Sequence, residues 1–217
     1  DVFDFYSINP HEAGNIIQQD KDFAAGRTSL EKEVLETSMF LKQYAKDFPK
    51  TQFLGVDSNH HDFLRRFLND PNRWSKDKEN RAFAQRLNAL LEDSSDPACA
   101  VAMKYILGNK MPKNLRFLGP GEDFSREGVQ LSAHGHKGVN GARGSLPSLM
   151  KAYGNLMCGH THQVRQENSA LTVGTLALIP QRYQLGQPAT SLHGAGALYE
   201  GGLMQAFTIV DGKYKAE

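Results

Sequence analysis

Cysteine is scarce in this chain. Its 217 residues include two, Cys99 and Cys158, far apart in sequence. That excludes a disulfide framework and makes a reducing compartment, the cytoplasm, the expected setting. Long apolar runs are also missing. No stretch reaches membrane-spanning length and no signal peptide is visible, so no membrane partner is expected. Charge of one sign is not in excess, since 25 basic residues face 24 acidic ones. A large basic surface is thereby excluded, while a local nucleic-acid path is not. There is no internal repeat and no low-complexity segment. The length and a hydrophobic content of 40% support one good core, so a single domain over 1–217 is expected. The chain opens DVFDFYSINP, with no Met and no polar lead-in, and reads as truncated at its N-terminus.

What is present follows a strand–helix–strand order, then hairpins. DVFDFYSI reads as the end of a strand running into a loop, and 9–27 as loop with a short helix. Thr28 with Glu31 forms a capping box for a helix whose apolar stripe is Leu30, Val34, Leu41 and Tyr44, ended by Pro49. TQFLGVDS is a short buried strand and its exit turn. Three helical stretches follow, HDFLRRFLNDP, ENRAFAQRLNALLED and DPACAVAMKYILGN, and make a helical insert over 62–108. That insert could be a lid or a partner surface, although packing on the core explains its stripes equally well. LRFLG, VQLSAHG and NLMCG read as strands, with the helix GSLPSLMKAYG before the last. ENSALTVGTLALI gives one or two strands, and ALYEGGLMQAFTIVDGKY a hairpin. The expected fold class is α/β, a sandwich with mixed sheets.

The histidines are unevenly placed. Six of the eight fall in three pairs, within NHHD, HGH and GHTH. Each pair follows a predicted strand, where α/β folds gather their sites at the carboxyl ends of strands. Imidazole nitrogens with carboxylate and amide oxygens suit borderline divalent metals. Two such metals roughly 3.5–4 Å apart clamp the attacking and leaving oxygens of phosphoryl transfer. Gly135, Gly159 and Thr161 are small enough to let the backbone turn and a phosphate approach. His11 and His193 read as surface or satisfied core histidines. Cys158 lies on a predicted strand and reads as structural. Ser58 or Asn59 suits the N-cap of the following helix, which does not exclude a metal role for Asn59.

The motifs resemble those of the calcineurin-like metallophosphoesterase superfamily. That family carries, in order, Asp-x-His, Gly-Asp-x-x-Asp, Gly-Asn-His-Asp/Glu, a His after a strand, and Gly-His-x-His. GHTH at 159–162 matches the last, LSAHGH at 131–136 the fourth through His134, and SNHHD at 58–62 resembles the third. Ser58 stands in place of glycine, and His61 in place of the acid, which shifts to Asp62. DVFD fits the second motif without its glycine, and the first motif is expected upstream of residue 1. HGHKGVNGARGS and VGT with the later QRYQLG further resemble phage and prophage phosphoesterases.

The resemblance implies a metallophosphoesterase fold and an enzyme binding two divalent metals, Mn, Fe, Zn or Ni, with Mn favoured. Asn59, His134 and His160 would share one metal. Asp1 would bridge to the other, which His162 would bind. His60 would contact the phosphate and protonate the leaving oxygen. Asp4 would be the acid that closes the second motif. Lys137 and Arg143 could hold phosphate oxygens in a flexible loop of Gly135, Gly138, Gly141 and Gly144. Arg182 and Tyr183 could shape the substrate side. The expected reaction is phosphate-ester hydrolysis, a phosphodiesterase or nuclease acting on DNA or RNA, with Arg65 and Arg66 as further cations. The alternatives are a phosphomonoesterase or cyclic-nucleotide phosphodiesterase, a non-catalytic metal-bound scaffold if no upstream motif exists, and a mononuclear metal protein.

Overall fold

In this computed structural model the chain forms two compact units, Asp1–Gly121 and Glu122–Glu217. The structure describes residues 1–12 and 14–214. Helices and mixed sheets together make the expected α/β class.

The first unit is mostly helical. Its helices are α1 (Ile16–Ala24), α2 (Leu30–Asp47), α3 (His61–Leu68), α4 (Pro71–Trp74), α5 (Arg81–Glu92) and α6 (Ala98–Leu107). Strands β1 (Phe53–Gly55) and β2 (Leu115–Phe117) pair in parallel, Gly55 opposite Phe117. A β-carbon on Gly55 would stand 2.3 Å from the Phe117 ring, so only glycine fits there. One core joins Phe3 and Phe5 to Leu30 and Val34 of α2, Phe63 and Phe67 of α3, Phe83 of α5 and Met103 of α6. The helices between β1 and β2 therefore build the body of this unit. Burying side chains of this size contributes roughly 1.5–3 kcal/mol each before entropy is charged against it.

Local details correct the sequence reading. The N-cap of α2 is Ser29, whose hydroxyl accepts from the Lys32 amide at 3.4 Å, and the Thr28 hydroxyl instead donates to Glu79 at 2.5 Å. Both residues offer the same capping chemistry, and the tertiary partner at Glu79 takes Thr28 away. Tyr44, expected on the buried stripe, is 45% exposed beside Phe40 and Phe48. Asp1–Phe5 is not a strand. Phe3 and Phe5 are fully buried, but Phe5 adopts φ 51° and turns the chain into a 3₁₀ turn at Tyr6–Ile8. Glu33 of α2 holds that turn, accepting from the Tyr6 amide at 2.8 Å and from the Ser7 amide and hydroxyl at 3.0 and 2.7 Å. Burial pushes the Glu33 carboxyl above its ordinary range, and these bonds offset part of that rise.

The second unit is layered. Strands β3 (Ser125–Arg126), β4 (Val129–Gln130), β5 (Leu156–Cys158), β6 (Arg165–Glu167) and β7 (Ala170–Thr172) form a sheet in the order β3-β4-β5-β7-β6. The β4–β5 and β5–β7 pairs are parallel and the outer pairs antiparallel. Strands β8 (His193–Leu198), β9 (Met204–Val210) and β10 (Lys213–Tyr214) form an antiparallel second sheet. Helix α7 (Leu146–Tyr153) supplies Leu149, which packs with Leu156, Cys158 and Ala170. The alternate residues Met157 and Leu171 face the other way and pack with Met204. The period of two in the strand sequences thus separates the helix-facing side from the sheet-facing side. The strand expected over VQLSA stops after Gln130, because the Gln130 side chain takes over. Its Oε1 accepts from the Ser132 amide and hydroxyl, both at 2.9 Å.

Candidate active site

In the first unit the loop after β1 meets the N-terminal segment. The His60 Nδ1 lies 2.7 Å from Asp4 Oδ1 and 3.1 Å from the Asp4 carbonyl oxygen. Its Nε2 lies 4.0 Å from Asp1 Oδ2. The carboxylate fixes the ring on one nitrogen and leaves the other directed at a second carboxylate. That arrangement can hold a proton on a chosen imidazole nitrogen. The orienting acid is therefore Asp4 and neither of the residues after His60. Asp62 instead binds Arg65, which donates from Nε and a terminal nitrogen, both at 3.1 Å. Arg65 is thus committed to an ion pair, and the Arg65–Arg66 pair offers less free cationic charge than its sequence suggests.

The neighbours of His60 are structural. Ser58 is fully buried, lies outside the left-handed region, and accepts from the His61 amide at 3.3 Å. Serine therefore serves there without strain, and it closes the first turn of α3. His61 is buried among Phe3, Phe5 and Phe117, with ring centroids 6.1–6.3 Å away. Its Nδ1 is 3.9 Å from Cys99 Sγ. This histidine is a core residue where the motif usually carries an acid. Asn59 sits in the turn between Ser58 and His60.

In the second unit the parallel neighbours β4 and β5 end in loops that bring three imidazoles together. Ring centroids are 5.3 Å apart for His134 and His160, 5.4 Å for His134 and His136, and 6.0 Å for His136 and His160. The Gly159 amide donates to the His134 carbonyl at 3.0 Å and ties the two loops. Gly135 has φ 111°, and a β-carbon there would meet the Gly159 carbonyl at 3.2 Å. At Gly144 a β-carbon would lie 1.9 Å from the Gly135 oxygen. These glycines serve the close backbone approach expected of this loop. His160 and His162 both hold left-handed backbone, φ 69° and 58°. Such conformations cost of order 1–3 kcal/mol for a non-glycine residue and concentrate at functional sites.

The three imidazoles bring together nitrogen donors of the type that bind borderline divalent metals. Three imidazoles bound at 2.0–2.1 Å to one tetrahedral ion place their ring centres roughly 5 Å apart. The His134–His160 and His134–His136 spacings lie close to that value, and the third pair is wider. Among the described residues no group of three or more His, Cys, Asp or Glu side chains is arranged so that it could hold a metal ion. Cys158 is buried beside the cluster, and its thiol is pushed up to about 11 by desolvation, against thiolate formation.

His162 Nδ1 lies 3.2 Å from the Tyr183 hydroxyl. Lys137 and Arg143 face each other across an antiparallel bridge. His193 Nε2 meets the Ala177 carbonyl at 2.8 Å, and the His11 ring lies edge-on to Phe63 at 5.8 Å. The structure thus gathers Asp1, Asp4 and His60 in one unit and His134, His136 and His160 in the other. Sequence reading missed His136 as the third ring and Tyr183 as the partner of His162. The HGH pairing itself was the available signal for His136. Nothing local signals Tyr183, which is 21 residues from His162.

No helix among the described residues is long and apolar enough to cross a membrane. No protein-family model matches the chain. The chain is 32% identical over 193 residues to Protein A1 of Escherichia phage T5, an alignment covering 86% of this chain and 34% of that protein. It therefore spans about a third of the length of that relative. Among solved structures it resembles a Vps29 single mutant from Entamoeba histolytica, with 17% identity and a TM-score of 0.34, over 63% of this chain and 87% of that one. A Vps29 double mutant from the same organism gives 16% identity and a TM-score of 0.32, over 60% and 85%. The sequence similarity links this chain to a phage protein.

Proposed function

We propose that the protein is a metal-dependent phosphoesterase of the calcineurin-like type that hydrolyses a phosphodiester, with DNA or RNA as the favoured substrate class. The observation carrying the proposal is the convergence of His134, His136 and His160 at the ends of two adjacent parallel strands, on motifs that resemble that superfamily. Metal ligands on this reading are Asp1, Asn59, His134, His160 and His162, all assigned by motif resemblance, and His136 is a further imidazole beside His134 and His160. Manganese is the favoured metal. Divalent metals, when bound, supply a water nucleophile at neutral pH and stabilise charge on the phosphoryl oxygens.

The chain's own groups do the rest. Asp4 holds His60 at Nδ1, so the proton for the leaving oxygen comes from Nε2. Lys137 and Arg143 stand opposite each other in an antiparallel bridge, and their side chains supply donors of the kind that bind phosphate oxygens. The deciding measurement compares hydrolysis of a bis-aryl phosphate with that of an aryl monophosphate in Mn²⁺. Faster diester cleavage is expected. Equal or faster monoester cleavage overturns the nuclease assignment, and no cleavage of either overturns the enzyme.

A further inference from the structure

We infer that the groove beside α1 in the first unit binds a single nucleic-acid strand, with backbone phosphate on Lys76 and Lys78 and an unstacked base against Phe23. The inference rests on the phosphodiesterase reading for the course of the strand toward His60, and on this chain's own residues for the groove.

A cavity of about 530 Å³ opens between the turn at Tyr6, α1 and the connection from α4 to α5. That volume suits a nucleotide-sized ligand. Four acids and four cations line it, so a count of charges favours no ligand. The hydrogen bonds break the tie. Asp22 is buried, accepts from the Tyr6 hydroxyl and from Gln18 Nε2 at 3.1 Å, and pairs with Arg27 at 3.4 Å. Asp77 accepts from the Glu79 and Asn80 amides at 3.2 and 3.0 Å with one oxygen, and from Asn80 Nδ2 at 2.8 Å with the other. Glu79 takes the Thr28 hydroxyl. Among the described residues Asp20 is the one lining acid without such a bond. Arg73 is occupied too, donating to the Ile8 carbonyl at 2.5 Å above the Phe67 ring. Lys76 and Lys78 remain. They flank Asp77, which is tied to the start of α5, and both are exposed and take no ion pair among the described residues.

The two lysines are therefore the free donors of this groove, and ammonium groups bind phosphate oxygens. Phe23 lines the same cavity and is 72% exposed. So exposed a ring adds little to a core, and it offers a face on which any base can stack. The groove also leads toward the candidate site. Tyr6 and Arg27 line this cavity and a second one of about 340 Å³, which Asp4 lines as well. Asp4 Oδ1 is the atom that meets His60 Nδ1 at 2.7 Å. A strand whose scissile phosphate lies at His60 can thus continue past Arg27 to Lys76 and Lys78.

The test uses the full chain and a fluorescent oligothymidylate of roughly 12 nucleotides, within ordinary single-strand site sizes. Binding is followed by anisotropy in EDTA, where the strand stays intact. Each phosphate contact on a single strand adds roughly 0.7 to the slope of log affinity against log salt. Lys76→Glu with Lys78→Glu should therefore lose about 1.4 of that slope and bind at least about tenfold more weakly. Phe23→Ala should weaken binding by roughly 5–150-fold, the usual effect of removing a base-stacking ring. Lys110→Glu with Lys113→Glu makes the same change in net charge at exposed positions outside both cavities, and should bind like the wild type. Unchanged affinity and slope in the first double variant overturn the inference, and so does an equal loss in the second. Equally tight binding of a blunt duplex of the same length also overturns it. Binding in EDTA needs no turnover. A wild type that binds the strand yet cleaves no phosphodiester therefore refutes the proposed function and leaves the groove standing.

Discussion

The two histidine clusters differ in what surrounds the imidazole. In the first unit one histidine, His60, stands between two carboxylates, Asp4 on Nδ1 and Asp1 toward Nε2. In the second unit three imidazoles face each other, and a buried thiol beside them stays protonated. Carboxylates around one imidazole favour holding and moving a proton. Several imidazoles side by side favour sharing a cation, because each neutral ring offers a lone pair and no charge. On the proposed function, the same residue type serves two kinds of chemistry, chosen by its neighbours.

The sharpest way to break this contrast is to remove one ring from each cluster. His160→Ala should lower Mn²⁺ affinity by more than the roughly 10–100-fold that losing an outer-shell partner costs. His60→Ala should leave Mn²⁺ affinity, read by calorimetric titration, unchanged. Equal losses in the two variants would abolish the distinction. Next in size is turnover at saturating metal. His60→Ala should lower kcat for the diester by about 10²–10⁴-fold, the range of a general acid. A normal kcat would remove the proton-handling role.

A smaller effect separates the backbones. Gly144→Ala forces a methyl against the Gly135 carbonyl and should cost about 1–3 kcal/mol, the price of overpacking. Unfolding followed by hydrogen exchange should show the loss in the second unit, with the first unit's protection unchanged. The smallest expected signal is chemical. Desolvation pushes the Cys99 thiol up to about 12 and Cys158 up to about 11, so each contributes stability below the ordinary thiol range that is lost as pH rises through its raised value. At mildly alkaline pH neither should react with a disulfide reagent until the chain is unfolded. Rapid native labelling of Cys158 would return it to the list of candidate donors.

The histidine pairs of the candidate site were legible because their signals are local. Gly-His-Thr-His after a short apolar strand is readable in a single window, and so is His-Gly-His after another. The α/β class followed in the same way from the order of apolar runs. The misreadings arose where two equivalent local choices exist. Thr28 and Ser29 can both cap α2, and Glu79, fifty-one residues from Thr28, decides between them. The strand expected at Asp1–Phe5 had the right alternation, and Phe3 and Phe5 are indeed inside. The backbone nevertheless turns at Phe5, because Glu33 is placed to receive the amides that follow.

The sequence by itself determined the residue types available for chemistry, their position after strands, and the alternation that assigns each strand two faces. These depend on periods of two and 3.6 and on turn residues, which act within a few positions. Only the tertiary structure decided which acid orients His60, which third imidazole joins His134 and His160, and which hydroxyl meets His162. Asp4 is 56 residues from His60, and Tyr183 is 21 from His162. A hydrogen bond needs two atoms within about 3 Å, and no local pattern fixes that distance between segments so far apart in the chain.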